Sequence, residues 1–216
     1  MESNEVYARI GRARIVPVIA IESPEQALPL ADALLEGGLP VAEITFRTEA
    51  AAAVIETMVR ERPEVLVGAG TVITLDNLRR AAGCGAKFGV APGLNPEIVG
   101  EALKIGLPFS PGIMTPSDIE RALSLGVKML KFFPAGAAGG VNMLKSLAAP
   151  YAHAGVKFMP TGGVKPDNLR DYLAQKTVLA VGGTWIATKD DIAAGRWDTI
   201  RGNCREAVAI AAEFAG

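Results

Sequence analysis

The sequence predicts an α/β fold: a (β/α)₈ barrel with a short N-terminal helix, built as a single domain over residues 1–216. Three observations predict it. Eight short apolar, β-branched runs recur with starts about 20–28 residues apart, the spacing of strand–helix units. The intervals between them carry apolar residues at helical spacing, such as Gln26, Leu30, Ala33 and Leu34, or Ile98, Ala102, Leu103 and Ile105. The runs are nearly continuous in apolar residues rather than alternating, as expected of parallel strands covered on both faces.

In chain order, Glu2–Arg12 is expected to form a helix that closes the bottom of the barrel. The strands follow as Ile15–Ile21, Val41–Phe46, Leu66–Val72, Phe88–Ala91, Pro108–Ile113, Met129–Phe133, Lys157–Thr161 and Val178–Ile186. Helix starts are written in cap residues. "SPEQA" offers Ser23 as a cap with Pro24 at the first position, and "TPSDIE" (Thr115, Pro116) and "KPDNLR" (Pro166, Asp167) repeat the pattern. Gly37-Gly38, Gly83, Gly106 and Gly126 supply the stops. The competing architecture is a doubly wound open sheet, which fits less well. The first strand lacks a G-x-G-x-x-G turn, and no strand reads as a hydrophilic edge.

Composition narrows the function classes. With 22 Lys+Arg against 23 Asp+Glu the net charge is −1, and no basic run is longer than Arg79-Arg80. A nucleic-acid partner is therefore not expected. The apolar runs fall short of a membrane span and the N-terminus lacks a leader pattern, so a cytoplasmic protein with no membrane partner is expected. Cys84 and Cys204 form no metal motif and read as small buried hydrophobes, and His153 is the sole histidine. A His-rich metal site is nearly excluded, and no metal or other cofactor is expected.

Chemistry in such a barrel sits at the carboxyl ends of the strands. In "VAEITFRT", Glu43 and Arg47 share parity and point the same way if the strand stays extended. A carboxylate inside an apolar strand is costly. Glu43 either meets substrate, water or a lysine at the barrel mouth, or forms a structural ion pair with Arg47 or a neighbouring strand.

In "MLKFFPA", Lys131 lies mid-strand among Met129, Leu130, Phe132 and Phe133. An ordinary lysine amine is neutral in only about one molecule in 10³ at pH 7, so a nucleophilic lysine needs a desolvated setting of this kind. The bland reading, a packed stem with its head paired to a carboxylate, stands beside it. Equal parity puts the Phe133 ring next to the amine.

Two glycine pairs with adjacent threonines, "PTGG" (Thr161, Gly162, Gly163) and "VGGTW" (Gly182, Gly183, Thr184), end the last two strands. Backbone N–H groups can converge on a phosphate at such corners. "VGAGTV" places Thr71, and "APG" places Pro92, at further strand ends, where they shape the pocket floor or serve as turns.

These segments, in order and at family spacing, resemble the 2-keto-3-deoxy-6-phosphogluconate (KDPG) aldolases, some of which also split 4-hydroxy-2-oxoglutarate (KHG). The likeness runs through "VPVIAI", "GGLPVAEITFRT", "VGAGTV", "FGVAPG", "PFSPGIMTPSDIERAL", "LKFFPA", "PTGGV" and "VGGTW". It implies a metal-free Schiff-base aldolase on a TIM barrel, a lyase of the Entner–Doudoroff pathway and commonly a homotrimer, acting on a small phosphorylated keto acid. By position, Lys131 matches the Schiff-base lysine and Glu43 the acid/base. Arg47 and Thr71 match the holders of the keto-acid carboxylate, and Pro92 and Phe133 the pocket lining. Thr161 matches a substrate-contacting hydroxyl, and Gly162, Gly163, Gly183 and Thr184 match the phosphate end. The Thr184 position is often serine in such enzymes, and Gly136 stands where many have glutamate.

Other readings are a phosphogalactonate aldolase, a metal-dependent sugar-phosphate epimerase and a non-catalytic phosphate-ligand-binding barrel. A single histidine disfavours the epimerase, and the joint presence of Lys131 and Glu43 disfavours the non-catalytic barrel.

Overall fold

The computed structural model describes residues 3–214. Helix α1 (Ser3–Ala13) leads into β1 (Ile15–Ile19), followed by α2 (Ala27–Glu36), β2 (Val41–Thr45), α3 (Ala51–Glu61) and β3 (Leu66–Gly70). Next come α4 (Leu75–Gly83), β4 (Gly89–Val90), α5 (Pro96–Lys104), β5 (Phe109–Ser110), β6 (Gly112–Ile113) and α6 (Pro116–Ser124). The chain ends with β7 (Met129–Phe132), α7 (Gly140–Ala148), β8 (Lys157–Pro160), α8 (Pro166–Leu173), β9 (Val181–Gly183), α9 (Lys189–Ala193) and α10 (Trp197–Ala212). The α/β alternation expected from the sequence is present. Of the expected N-terminal helix, Glu2 lies outside the described residues.

Among the described residues every strand pairing is parallel. One sheet has the order β5-β4-β3-β2-β1-β9 and a second the order β6-β7-β8. Neighbours follow chain order, and the last strand returns to pair with the first. A doubly wound sheet instead reverses its order at a switch point, so that alternative is not formed. Two isolated parallel bridges, Phe158 to Val178 and Thr161 to Gly182, link the β8 segment to the β9 segment.

The expected strand Pro108–Ile113 is split at Pro111. Proline has no N–H to give to a ladder, although its carbonyl still accepts from Lys131 N–H at 2.9 Å. The run Val178–Ile186 yields only Val181–Gly183 as strand. Past it, Trp185 folds back over Gly183, where a Cβ would come within 2.7 Å of the indole.

The helix punctuation is mostly as expected. Thr115 and Asp118 form a capping box at α6, the Thr115 hydroxyl accepting from Asp118 N–H at 3.2 Å and the Asp118 carboxylate from Thr115 N–H at 2.9 Å. Pro166 opens α8, where Asn168 Oδ1 accepts from Lys165 N–H at 2.9 Å. Ser23 differs. It precedes a 3₁₀ turn, Pro24–Gln26, rather than α2, and its hydroxyl turns to the Glu25 carboxylate instead of a backbone N–H.

Two apolar layers hold the fold. The outer faces of the strands and the inner faces of the helices form one cluster, including Ile19, Ile44, Val67, Leu130, Leu34, Ile55 and Ile119. The other face carries Val16, Val41, Leu66, Val90, Met129 and Met159 from β1, β2, β3, β4, β7 and β8, packed with Val6 and Ile10 of α1. Helix α1 therefore caps the amino ends of the strands, leaving the carboxyl ends open. Among the described residues no helix is long and apolar enough to cross a membrane.

Candidate active site

On β2, parity sends Val41, Glu43 and Thr45 to the face that carries the second cluster, and on β7 it does the same for Met129 and Lys131. Each strand thus changes from apolar to polar towards its carboxyl end. Glu43 is 0% and Lys131 5% exposed, and Lys131 Nζ donates to Glu43 Oε1 at 3.2 Å. The carboxylate pairs with Lys131, not with Arg47. The second oxygen, Glu43 Oε2, is buried without a hydrogen-bond partner. Burying two charges is expensive and an orphaned acceptor adds to the cost, so the pair is poorly explained as a device for stability. A substrate hydroxyl or a water is the partner that chemistry would supply to this oxygen.

Glycine makes room for this carboxylate. A Cβ at Gly70, the last residue of β3, would stand 2.7 Å from Glu43 Cγ and 2.9 Å from Cδ. Above the amine lies the Phe133 ring, its centroid 5.4 Å from Lys131 Nζ, within cation–π range. The same ring edge would lie 3.2 Å from a Cβ on Gly162, whose φ of +87° favours glycine in any case. Phe133 therefore connects the lysine to the glycine corner after β8.

Arg47 lies beyond the end of β2 and is exposed. Its Nε donates to Thr45 Oγ1 at 3.1 Å, and Thr45 Oγ1 donates to the Ile19 carbonyl at 2.9 Å. Thr161 is buried after β8, with its hydroxyl donating to Met159 O at 3.3 Å. It fits only because Gly182 has no side chain, since a Cβ there would lie 2.9 Å from Thr161 Cγ2. Gly163 has φ +79° and faces Gly136, whose Cβ would be 3.2 Å from Gly163 Cα.

Thr71, Pro92, Gly183 and Thr184 occupy the same carboxyl end, after or at the ends of β3, β4 and β9, and make no side-chain hydrogen bond to Lys131 or Glu43. Thr71 has φ +56°, an unfavourable left-handed conformation for a β-branched residue. Strain of this kind clusters at functional sites.

Two residues of the site were not singled out by the sequence. Thr45 shares the parity of Glu43 and Arg47, which was the available signal. Gly70 carries no signal of its own until its neighbour across the sheet is known.

The remaining candidates lie apart. Burial pushes the Cys204 thiol up to about 12 and also raises that of Cys84, leaving both protonated and poorly nucleophilic at neutral pH. His153 is in a 3₁₀ turn, Ala149–Ala154. Among the described residues, no three His, Cys, Asp or Glu side chains gather into a ligand set. A groove of about 750 Å³ between α7 and α8, lined by Asn142, Lys145, Asn168, Asp171 and Gln175, touches the strand-end region only through Gly136. Neither Lys131 nor Glu43 lines it.

Comparison with known proteins places these features in context. The family described as KDPG and KHG aldolase matches residues 6–202. The 2-dehydro-3-deoxy-phosphogluconate aldolase of Haemophilus influenzae is 45% identical over 208 residues, covering 96% of this chain and 97% of that protein. The KHG/KDPG aldolase of Escherichia coli (strain K12) is 44% identical over 194 residues, 90% of each chain. Among solved structures, the KDPG aldolase of Legionella pneumophila, with pyruvate captured at low pH as a covalent carbinolamine intermediate, superposes with a TM-score of 0.89. It is 38% identical, covering 95% of this chain and 97% of that one.

Proposed function

The chain belongs to the KDPG and KHG aldolase family, and from that premise we propose that it is a class I aldolase cleaving KDPG reversibly to pyruvate and glyceraldehyde 3-phosphate. The same chemistry extends to KHG, giving pyruvate and glyoxylate. The observation that carries this reading is the buried Lys131 amine, 3.2 Å from a buried carboxylate whose second oxygen has no hydrogen-bond partner.

In the proposed sequence, Lys131 passes a proton to Glu43 and attacks the C2 carbonyl of the keto acid, forming a carbinolamine. Glu43 returns the proton to the departing hydroxyl, and loss of water leaves a protonated imine. Glu43 then removes the C4 hydroxyl proton. The C3–C4 bond breaks, its electrons flow into the imine to give an enamine, and the aldehyde departs. Glu43 protonates C3 of the enamine, and water hydrolyses the resulting imine to release pyruvate and restore Lys131. One carboxylate suffices because the steps are consecutive.

Arg47 and Thr71 hold the keto-acid carboxylate, and Pro92 and Phe133 line the pocket. Thr161 contacts the substrate near the reacting carbons. Gly162, Gly163, Gly183 and Thr184 take the phosphate, whose binding energy fixes the reacting carbons in place. The reading also includes a closed (β/α)₈ barrel forming one domain over residues 1–216. The adjacency of β5 and β6 across Pro111 and the bridges from β8 to β9 support it. A homotrimer working in the cytoplasm on the Entner–Doudoroff route completes it. Pyruvate release, followed by coupled reduction to lactate, tests the activity. KDPG is expected to be turned over and the Lys131→Met protein to be inert; turnover by Lys131→Met at more than about a thousandth of the parent rate overturns the reading.

A further inference from the structure

Thr45 is buried at 1% exposure on the same face as Glu43, yet no step above uses it. Its hydroxyl carries one proton, which goes to the Ile19 carbonyl at 2.9 Å on the neighbouring strand β1. The guanidinium of Arg47 has only protons to give, so at 3.1 Å from Arg47 Nε the Thr45 oxygen must accept. The direction of the chain is thereby fixed: Arg47 Nε–H to Thr45 Oγ1, and Thr45 Oγ1–H to the Ile19 carbonyl. The last acceptor belongs to the backbone of a buried strand, so the relay is anchored to the sheet rather than to another mobile side chain.

A guanidinium can grip a carboxylate bidentately along the edge that includes Nε or along the edge formed by the two terminal nitrogens. With Nε held by Thr45, the first edge is closed. We infer that Thr45 is a positioning residue, fixing the otherwise exposed Arg47 so that Nη1 and Nη2 together meet the carboxylate of the keto acid. This rests on the reading that Arg47 takes that carboxylate. Without the hydroxyl, Arg47 would sample many rotamers, and binding of the carboxylate would have to order it.

The test compares T45V, T45S, R47Q and the double variant T45V/R47Q. For each, steady-state KDPG cleavage is measured together with the concentrations of pyruvate and of acetone that half-saturate borohydride trapping. Acetone lacks the carboxylate, so the ratio of the two concentrations reports carboxylate recognition in whatever fraction of the protein is folded.

In T45V, KM and the pyruvate-to-acetone ratio are expected to rise on the order of 10-fold, the scale of one well-placed hydrogen bond to a charged group, while kcat stays within about 3-fold. T45S keeps the hydroxyl and should restore both. In the R47Q background, adding T45V should change neither. The inference is overturned if R47Q raises the ratio and T45V does not, if T45S is as impaired as T45V, or if T45V costs as much with R47Q as without it. An unchanged ratio in R47Q removes Arg47 from the carboxylate, and the inference falls with that assignment. If T45V fails to fold, T45A replaces it and is held to the same outcomes.

Discussion

Gly70→Ala probes the central geometry without altering any chemical group. The backbone of Gly70 is not in the left-handed region, so alanine is tolerated there conformationally and the effect is steric. The new methyl carbon would stand 2.7 Å from Glu43 Cγ and 2.9 Å from Cδ, against 3.4 Å for ordinary contact. Relief requires the carboxylate to move by roughly 0.5–0.7 Å at these carbons and further at its tip. Glu43 is fully buried, so the shift must be taken up within the packed site. The 3.2 Å bond to Lys131 would stretch towards the limit of hydrogen bonding. Misplacement of a reacting group by about 1 Å costs on the order of 10²-fold in rate, which is the expected fall in kcat. The overpacking itself should cost about 1–3 kcal/mol in stability.

The assay is coupled pyruvate release, with urea unfolding to confirm that the variant is folded. Gly100→Ala serves as the control, since its Cβ meets nothing within 4 Å and it lies in α5. It should keep full activity and gain up to about 1 kcal/mol. A folded Gly70→Ala protein with kcat within 3-fold of the parent would refute the claim that the position of Glu43 sets the rate.

Glu43→Gln should lower turnover by at least about 10²-fold while pyruvate can still be trapped on the enzyme, as expected when a general acid–base is lost; unchanged turnover would remove Glu43 from that role. Alkylation by iodoacetamide at pH 8 should leave Cys204 unmodified in the native protein, because burial holds its thiol up to about 12; peptide mapping that finds Cys204 modified before unfolding would contradict this. At the α6 cap, burial pushes Asp118 up, but bonds from the N–H groups of Met114 and Thr115 and from the Thr115 hydroxyl outweigh it and hold the carboxyl below the usual carboxylate range. A depressed folded-state value adds stability that is fully present above the unfolded-state value and disappears as pH falls through the folded-state value. Asp118→Ala should therefore cost about 0.5–1 kcal/mol near pH 7 in this partly solvated position, and the gap should narrow below about pH 4. Urea titrations that show a pH-independent gap would rule out this linkage.

The alternation of strands and helices was legible because each run is short, apolar and bounded by caps or glycines, and each such signal is local. Boundaries failed where a tertiary cause intervened. Pro111 interrupts its strand, and Trp185 folding over Gly183 ends the last one early. Ser23 carried the chemistry of a cap but spent its hydroxyl on Glu25.

Lys131 and Glu43 stood out because a charge amid apolar strand residues is costly enough to need a reason. Their pairing was not legible, since they are 88 residues apart and meet only through the curvature of the sheet. The sequence left open whether Glu43 would pair with Arg47, its neighbour in parity. The structure instead bonds Arg47 Nε to Thr45 at the strand end and Glu43 to Lys131. Gly70 and Thr45 were missed for a related reason. A glycine that makes room, or a hydroxyl whose proton direction matters, is defined by what lies opposite it.

Borohydride reduction in the presence of pyruvate tests the central claim most directly. The account predicts one stoichiometric covalent adduct, found by mass on the peptide carrying Lys131 and absent in Lys131→Met. No adduct, or an adduct that persists on another residue in Lys131→Met, would contradict it.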